Sequence, residues 1–432
     1  MKRVPLDDTQ TFELISGLWK GERGPTNAAK VLRSTNFAGD GLLDFDDVVE
    51  LEIEQRHFAS RRLLPGDIII ERSGGGPKQP VGRVALFAPL DEEPYFSSNF
   101  TTAIRLRDRS RFDPSYVALY LHALYLNGAT ETLQRATTGI RNLDWREYLK
   151  IEVIARPLQE QTLIARLVGS VRSAYRKEAE LLRTLEALRR SVLGSIFSRG
   201  LRGEPLKDTD IGPMPVSWSA QTVLDLCEIW SGGTPRKSIP AYWKGDIPWV
   251  SGKDLKAPAL DDAIDHVSPA GVEAGSRIAP ADSVLLLVRG MGLAKDLPVA
   301  VINRPMAFNQ DVKALVPRGQ FSGRFIRSAI YAGKDRLLSQ IVPSAHGTMT
   351  LNLNDVETFK VACPGDPDET KTIVTILGAI DRQIVLHQRK CAVLEELFKS
   401  LLHKILIEGL AVSELAMPTL SSVTIQREGT TT

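Results

Sequence analysis

Apolar positions in two long segments follow a 3-4 spacing, which predicts two long helices. The first segment runs from about Gln159 to Ser198, and its candidate seam residues are Ile164, Leu167, Val171, Leu181, Leu185, Leu188 and Val192. The second has the seam residues Ile376, Ile380, Leu394, Leu397 and Leu401. A narrow apolar seam is typical of a coiled coil and requires a partner helix.

The obvious partner of each predicted helix is the other one. We therefore predict an antiparallel coiled coil in which Glu178 lies near His387 or Lys390. At 1.5 Å per residue, each helix of roughly 40 residues would span about 60 Å. Two helices that pack separately on their own domains are the alternative, and Glu178 could also simply reach out to water.

The two helical segments belong to an internal repeat. Residues 185–201 and 394–410 are identical at 8 of 17 positions at an offset of 209, and both end in Gly-Leu. Upstream, Asn142 matches Asn352 and Asn99 matches Asn309 at an offset of 210, while Trp19 and Gly21 match Trp230 and Gly232 at 211. A period this long indicates duplicated domains and excludes a solenoid of small units.

Each half also contains two apolar runs joined by a glycine-rich loop, at 67–87 and 282–302, which predict two strands and a connecting loop. The sequence thus predicts an α+β fold with two pseudo-symmetric mixed α/β domains and two long helices. We divide the chain into a first globular domain (1–157), a first helix (158–201), a linker (202–215), a second globular domain (216–366), a second helix (367–410) and a disordered tail (411–432).

Composition narrows the class of protein. The net charge is only +2, so any nucleic-acid footprint must be local. The three cysteines lie far apart, which argues against a disulfide framework and a structural zinc site and favours the cytoplasm. The N-terminus lacks the apolar run of a signal peptide, and the apolar runs are too short to predict a membrane span.

Several motifs in the second half carry a family resemblance. They are the Pro215-x-x-Trp218 entry, Gly-Gly-Thr-Pro at 232–235, the Tyr-Trp-x-Gly-x-Ile-Pro-Trp string at 242–249, Lys-Asp-Leu at 253–255, Asn309-Gln310 and the segment 347–353. The first half adds LWKGERGP, RSTNF and GDIIIERSGGGPKQPVGR. In this order, the motifs resemble the specificity subunits of Type I restriction-modification enzymes, and the resemblance covers nearly the whole chain.

The resemblance implies a non-catalytic subunit whose two target recognition domains read a bipartite site on double-stranded DNA. It also implies two methyltransferase (modification) subunits bound around the helices, and motor/nuclease (restriction) subunits that join for cleavage. The S-adenosylmethionine, ATP and magnesium would belong to those partners, and we expect no cofactor, metal or membrane contact in this chain.

Motifs for catalysis do not emerge from the sequence. The nearest string to an adenine-methyltransferase loop is Asp113-Pro114-Ser115-Tyr116, which lacks the second proline, and we interpret it as a helix start. No GxxxxGK[ST] loop and no HExxH pair occur. A divergent methyltransferase or nuclease, and a coiled-coil adaptor without DNA, are the alternative functions.

Candidate DNA contacts are basic and amide side chains in loops, since donors that reach base edges give specificity and Arg or Lys hold phosphates. In the first half they are Arg72, Ser73, Lys78, Gln79, Arg83, Arg105, Arg107, Arg141 and Asn142. In the second half they are Arg236, Lys237, Lys253, Arg289, Lys295, His346 and Thr348. Solvated hairpins, turn-forming asparagines and an ordinary solvated strand face are the alternatives for these groups.

Overall fold

The computed structural model describes residues 2–18, 24–76, 79–137, 140–343 and 348–414. The chain divides into two compact units. Unit 1 comprises Met1–Ala179 and Arg389–Thr432, and unit 2 comprises Glu180–Gln388. Because each unit combines segments distant in sequence, the six-part division along the chain stays a prediction. The predicted tail lies mostly outside the described residues.

The strands of unit 1 are β1 (Lys2–Pro5), β2 (Phe12–Ser16), β3 (Thr26–Leu32), β4 (Val49–Glu54), β5 (Ile68–Glu71), β6 (Val84–Leu86), β7 (Tyr95–Ser97), β8 (Thr101–Leu106), β9 (Gln134–Thr137), β10 (Ile140–Leu143) and β11 (Glu152–Ala155). An antiparallel sheet in the order β2-β8-β5-β6 lies at the centre. Beside it are the sheet β4-β3-β7, the pair β1-β11 and the hairpin β9-β10. The predicted strands within 67–87 are β5 and β6.

The helices that begin in unit 1 are α1 (Phe58–Arg61), α2 (Pro114–Leu126), α3 (Trp145–Leu149) and α4 (Leu158–Arg199). The interpretation of Asp113 as a helix start is confirmed, because its Oδ1 accepts hydrogen bonds from Ser115 N at 2.8 Å and Tyr116 N at 3.2 Å. Helix α2 covers the central sheet and packs with β5, β8 and both long helices in one core.

The strands of unit 2 are β12 (Leu206–Lys207), β13 (Met214–Pro215), β14 (Ser219–Thr222), β15 (Cys227–Ser231), β16 (Ile247–Val250), β17 (Ala259–Leu260), β18 (Asp265–Val267), β19 (Ile278–Ala279), β20 (Val284–Leu287), β21 (Val299–Ile302), β22 (Met306–Phe308), β23 (Val312–Pro317), β24 (Val342–Pro343), β25 (Met349–Thr350) and β26 (Lys360–Cys363). The central sheet has the order β15-β23-β20-β21-β17, and β18-β16-β22-β19 and β14-β26 lie beside it.

The helices that begin in unit 2 are α5 (Val223–Leu226), α6 (Pro269–Gly275), α7 (Gly323–Ala332), α8 (Lys334–Leu338), α9 (Leu353–Glu357) and α10 (Pro367–Leu402). From Arg389 onwards α10 belongs to unit 1, where a π-helical turn at His403–Ile407 follows it. Helix α7 covers the central sheet as α2 does in unit 1. Both units therefore have corresponding elements in the same order, which confirms the predicted α+β class and the internal duplication.

The long helices α4 and α10 run antiparallel inside each unit. In unit 1, Arg156 Nη2 donates to Ile405 O at 2.8 Å, and Lys390 Nζ lies 3.6 Å from Glu178 Oε1. In unit 2, Arg189 pairs with Asp381, and Leu201 N donates to Glu369 Oε1 at 3.0 Å. The predicted proximity of Glu178 to Lys390 is therefore confirmed.

Some residues predicted to lie in the helix seam are exposed, and other residues are buried in their place. Leu181, Leu188 and Leu397 are 43%, 48% and 42% exposed, so their assignment to the seam is wrong. Ile164 is buried, whereas Leu167, Val171, Leu185, Val192, Ile376, Ile380, Leu394 and Leu401 are half-buried. The fully buried positions include Val168, Arg189, Leu193, Leu377, Ile384, Phe398 and Leu402.

From Ile164, the next buried residue is Val168, four positions later, whereas the prediction placed Leu167, three positions later, in the seam. Further along α4, the buried residues Arg189, Leu193 and Ile196 are again separated by four and then three positions. Both choices were open because adjacent apolar residues, such as Leu167 and Val168 or Leu401 and Leu402, stand at these places. The helices also pack on the globular part of each unit, and that contact selects the second residue of the pair.

Candidate nucleic-acid interface

Three segments of unit 1 meet in what we call corner 1, residues 72–74, 98–101 and 141–143. The backbone N–H groups of Arg72 and Ser73 donate to Phe100 O at 2.7 and 3.2 Å. Leu143 N donates to Arg72 O at 2.8 Å. The loop after β5 is thus held between the turn before β8 and the strand β10.

Side chains from two separate sequence candidates also meet there. Ser73 Oγ donates to Asn142 Oδ1 at 2.6 Å, and Gly74 N donates to Arg141 O at 3.1 Å. The segments around 72–83 and 135–142, predicted as distinct sites, therefore form one site.

Unit 2 builds the same arrangement in corner 2, residues 288–290, 309–312 and 349–351. Val288 N and Arg289 N donate to Asp311 O at 2.8 and 3.3 Å, and Leu351 N donates to Val288 O at 2.8 Å. The fourth bond runs from Gly290 N to Met349 O at 3.0 Å. The two corners share four backbone hydrogen bonds but differ in side chains.

These bonds correct the residue matches of the repeat. Leu351 is the counterpart of Leu143, and Asp144 and Asn352 each precede a short helix, α3 and α9, as its N-cap residue. The offset here is therefore 208, so the predicted match of Asn142 with Asn352 is wrong.

Further matches shift for the same reason. Arg289 corresponds to Ser73, and Asn309 corresponds to Ser98, not to Asn99. The counterpart of Gly232 is Gly17, since a Cβ on either residue would collide with a carbonyl oxygen of the turn before β8 or β23. Loops of unequal length separate matched elements, so no single sequence offset applies.

Arg72 and Arg141 are the basic side chains of corner 1. The Arg72 guanidinium lies 4.9 Å from the centre of the Trp145 ring, and burial lowers the pKa of Arg72. Arg141 Nη1 donates to Gln134 Oε1 at 3.3 Å. Gln79 is exposed beyond the loop, and Lys78 lies outside the described residues. The donors of this corner are thus oriented by neighbouring side chains.

Two predicted DNA contacts in unit 1 have a structural role instead. Arg83 forms a two-point ion pair with Glu71, at 2.8 and 2.7 Å, and Arg105 does the same with Asp67. Both carboxylates are buried, so these guanidinium groups compensate interior charges.

Arg107, which was also predicted to contact DNA, is exposed. Arg107 follows β8, lies 3.6 Å from Glu13 Oε2 and donates to Thr9 O at 3.3 Å. Arg105 and Arg107, both predicted to contact DNA, therefore do not form a continuous basic track.

Unit 2 has an open pocket of about 370 Å³ beside corner 2, lined by Thr234, Lys237, Trp249, Ser251, Lys253, Asp265, Asn309, Gln310 and Asp311. Lys253 Nζ lies 2.8 Å from Asp265 Oδ2, and this hydrogen bond raises the pKa of Lys253. Lys237 and the neighbouring Arg236 are exposed. This pocket therefore combines basic, amide and aromatic groups.

The other predicted residues of unit 2 are Arg289, which lies in corner 2, and Lys295, His346 and Thr348. Arg289 and Lys295 are exposed, and Thr348 is half-buried. His346 lies outside the described residues. Asn99 and Gln310 were not among the predicted DNA contacts, although Asn99 belongs to the internal repeat and Gln310 to a motif of the family resemblance. An amide stands before both β8 and β23.

The chemistry that these corners offer is hydrogen bonding and charge. Among the described residues, no group of three or more His, Cys, Asp and Glu side chains could hold a metal ion. A search of the same residues finds no helix with the length and apolar character needed to cross a membrane. Guanidinium, ammonium, amide and hydroxyl groups are the types that contact phosphates and base edges.

The chain is similar to known proteins over part of its length. Residues 215–396 match the family model described as "Type I restriction modification DNA specificity domain". The chain is 29% identical over 168 residues to the Type I restriction enzyme EcoR124I/EcoR124II specificity subunit of Escherichia coli, which covers 38% of this chain and 41% of that protein. Residues 215–396 of the chain are thus similar to the DNA specificity domain of Type I restriction-modification specificity subunits.

Two further relatives extend the comparison. The MjaIX specificity subunit of Methanocaldococcus jannaschii is 28% identical over 206 residues, 45% of this chain and 46% of that protein. The chain thus spans less than half the length of either curated relative. The crystal structure of the S subunit from M. genitalium aligns with a TM-score of 0.61 at 16% identity, over 94% of this chain and 95% of that one, and shows the same fold.

Proposed function

We propose that this chain is the non-catalytic DNA-specificity subunit of a Type I restriction-modification enzyme and acts in the cytoplasm. The observation that carries the proposal is the pair of corners, which share four backbone hydrogen bonds but carry different side chains. The matched positions of the two corners carry different residues. Corner 1 has Arg72, Ser73, Arg141 and Asn142 where corner 2 has Val288, Arg289, Met349 and Thr350. One scaffold with two sets of donors and acceptors suits two different half-sites.

The direct test is selection of binding sequences from a randomised pool of double-stranded DNA. The full chain, reconstituted with its modification subunits, should enrich two short specific tracts around an unspecified spacer. Binding should weaken steeply with salt, because phosphate contacts release counterions. Salt-independent or sequence-indifferent binding would favour the coiled-coil adaptor, and methyl transfer by the purified chain alone would favour an enzyme.

The long helices α4 and α10 would set the distance between the two half-sites. Their antiparallel contacts within each unit support this role. Inserting one heptad after Ala179 together with one after Gln388 should lengthen the pair by about 10 Å. That length corresponds to about three base pairs.

The expected result is a spacer about three base pairs longer with both half-sites unchanged. A seven-residue insertion in an exposed loop, after Asp208, is the matched control and should leave the spacer as it is. A change in the bases recognised after the helical insertion would contradict the distance-setting role.

Exposed apolar residues on the helices support the binding of two modification subunits there. Unit 1 exposes Leu163, Val393 and Leu397, and unit 2 exposes Leu181, Leu188 and Leu386. Leu188 and Leu397 occupy matched repeat positions, as expected for two copies of one partner. Restriction subunits would then join for cleavage.

The substitutions Leu188→Glu and Leu397→Glu should each reduce recovery of modification subunits with the affinity-tagged chain. Thr184→Glu, an exposed position on α4, is the control. Full recovery of two modification subunits with both leucine variants would contradict this placement of the partner.

A further inference from the structure

In each unit, the turn before one strand of the central sheet carries an exposed carboxamide side chain. Asn99 precedes β8 and Gln310 precedes β23. Thr101 N donates to Ser98 O at 3.0 Å, and Val312 N donates to Asn309 O at 3.4 Å, so the two amides occupy matched positions. Both side chains are exposed. This shared carboxamide stands out because, apart from the buried Leu143 and Leu351, the other described side-chain pairs of the two corners differ in chemistry.

A carboxamide offers a donor and an acceptor in one plane, which matches the N6 and N7 groups of adenine in the major groove. Gln310 Oε1 accepts a hydrogen bond from Thr234 Oγ1 at 2.6 Å, which orients the amide. The oxygen keeps a second lone pair, and the NH₂ group can still donate to N7. The amide of Gln310 is therefore both positioned and available.

Two ammonium groups lie in the same pocket as Gln310, together with the carboxylates of Asp265 and Asp311. Lys237 and Lys253 line the same pocket, within which Gln310 forms part of the wall. Ammonium groups at such places hold phosphates and fix the position of the protein on DNA, while amides read the bases. In corner 1, the basic residues are Arg72, whose N–H donates to the carbonyl of Phe100 next to Asn99, and Arg141.

The residue after each amide differs between the corners. Phe100 is 42% exposed, and its counterpart is the half-buried carboxylate of Asp311. An aromatic side chain suits contact with the thymine methyl group, whereas a carboxylate accepts a hydrogen bond from cytosine N4. The two corners thus combine one common reading group with one that distinguishes them.

We infer that Asn99 and Gln310 each read the edge of one adenine, one in each half-site, and that Phe100 and Asp311 make the two half-sites different. This inference rests on the proposed DNA-specificity function. It names the residues, base and groove involved.

The test uses the full chain reconstituted with modification subunits and a randomised pool of double-stranded DNA. The wild-type chain should select an adenine in each half-site. Asn99→Ala should lower the preference for that adenine about tenfold in one half-site only, and Gln310→Ala should do so only in the other. Affinity for DNA that lacks the site should stay unchanged in both variants.

Matched controls lie at the opposite ends of the same strands. Gln10 is exposed near the end of β8 that is distant from corner 1, and Gln320 is exposed beyond the far end of β23. Gln10→Ala and Gln320→Ala should leave both half-sites unchanged. Asn99→Asp, which keeps the acceptor and removes the donors, should shift the preference from adenine towards cytosine.

The outcomes separate this inference from the proposed function. A wild-type complex that selects no bipartite sequence would overturn both. A wild-type complex that selects one, together with alanine variants that select the same bases equally well, would overturn only the assignment of Asn99 and Gln310. Relaxation at a base other than adenine would overturn the adenine assignment.

Discussion

Each unit joins its long helices to its globular part at the same place, but the two joints differ in chemistry. The joint of unit 1 uses α2, and the joint of unit 2 uses α7. At an offset of 209, His122 of α2 matches Tyr331 of α7, and Phe398 of α10 matches Arg189 of α4. The backbone positions are duplicated, whereas the side chains are aromatic in one unit and ionic in the other.

The joint of unit 2 buries two guanidinium groups around one carboxylate. Arg189 pairs with Asp381, and Arg327 Nη1 lies 3.7 Å from Asp381 Oδ2. Both guanidinium groups lie over the Tyr331 ring, 5.2 and 5.0 Å from its centre. Burial, together with the nearby Arg189, lowers the pKa of Arg327 to about 10.

The joint of unit 1 has an aromatic contact at the matched position and a separate ion pair between Arg176 and Asp40. The His122 ring lies 6.2 Å from the Phe398 ring and is buried. Burial, together with the charge of Arg172, lowers the pKa of His122 to about 4, so the ring is neutral near neutral pH. Arg176 forms a two-point ion pair with Asp40, at 2.5 and 2.9 Å.

This difference teaches that the duplicated backbone determines where the helices dock, while the chemistry of docking is free to diverge. Leu193 and Leu402, which match at the same offset, are buried in both units. Both joints therefore share a buried apolar contact, whereas the polar side chains of the joint differ between the two units. The two joints should respond differently to mutation and to pH.

The largest effect is expected at Asp381. Asp381→Ala should destabilise unit 2 by about 3–5 kcal/mol, because it leaves two buried guanidinium groups without their carboxylate. Chemical denaturation of the full chain measures this loss. Asp368→Ala is the control, since that carboxylate is 83% exposed and pairs with Lys371 at the surface. An equal, small loss in both variants would mean that the joint of unit 2 is not ionic in its energetics.

Truncation of the shared apolar contact should affect both units alike. Leu193→Ala and Leu402→Ala should each lower the free energy of unfolding by about 3 kcal/mol, since both remove a buried side chain. The exposed pair Leu188→Ala and Leu397→Ala should each lower it by under about 1 kcal/mol. A larger loss from the exposed pair would contradict the observed register of the helices.

Acid should weaken unit 1 through His122. The folded-state pKa, about 4, lies below the ordinary value of 6.5, so the unfolded chain binds more protons between these values. Stability should therefore fall as the pH drops from about 6.5 to 4, by up to about 3 kcal/mol.

Denaturation at a series of pH values measures this slope. His122→Leu should flatten it, and His403→Gln, at an exposed site, should not. An unchanged slope in His122→Leu would show that other groups govern the acid response of unit 1.

The smallest effect is expected at Lys253 and Asp265. Their ion pair lies at the surface beside corner 2, where Coulomb attraction is screened by water. Asp265→Asn should change the free energy of unfolding by under about 1 kcal/mol and leave unit 1 untouched. A cooperative loss of several kcal/mol would mean that this pocket is part of the core of unit 2.

Particular residues show where prediction from the sequence ended. The helix start at Asp113 and the proximity of Glu178 to Lys390 followed from local patterns, because capping and helix periodicity depend on near neighbours. The pairing of Arg83 with Glu71 and of Arg105 with Asp67 did not, because each joins strands that are distant in the chain. The sequence does not distinguish a basic residue that contacts a phosphate from one that pairs with a buried carboxylate.

The sequence by itself determined the duplication, the α+β class and the two long antiparallel helices, since repeats and periodicity are properties of the linear chain. Only the tertiary structure decided which of two adjacent apolar residues enters the helix seam, and which distant loops join to form each corner. Those choices depend on how a helix or loop meets a surface built from other parts of the chain.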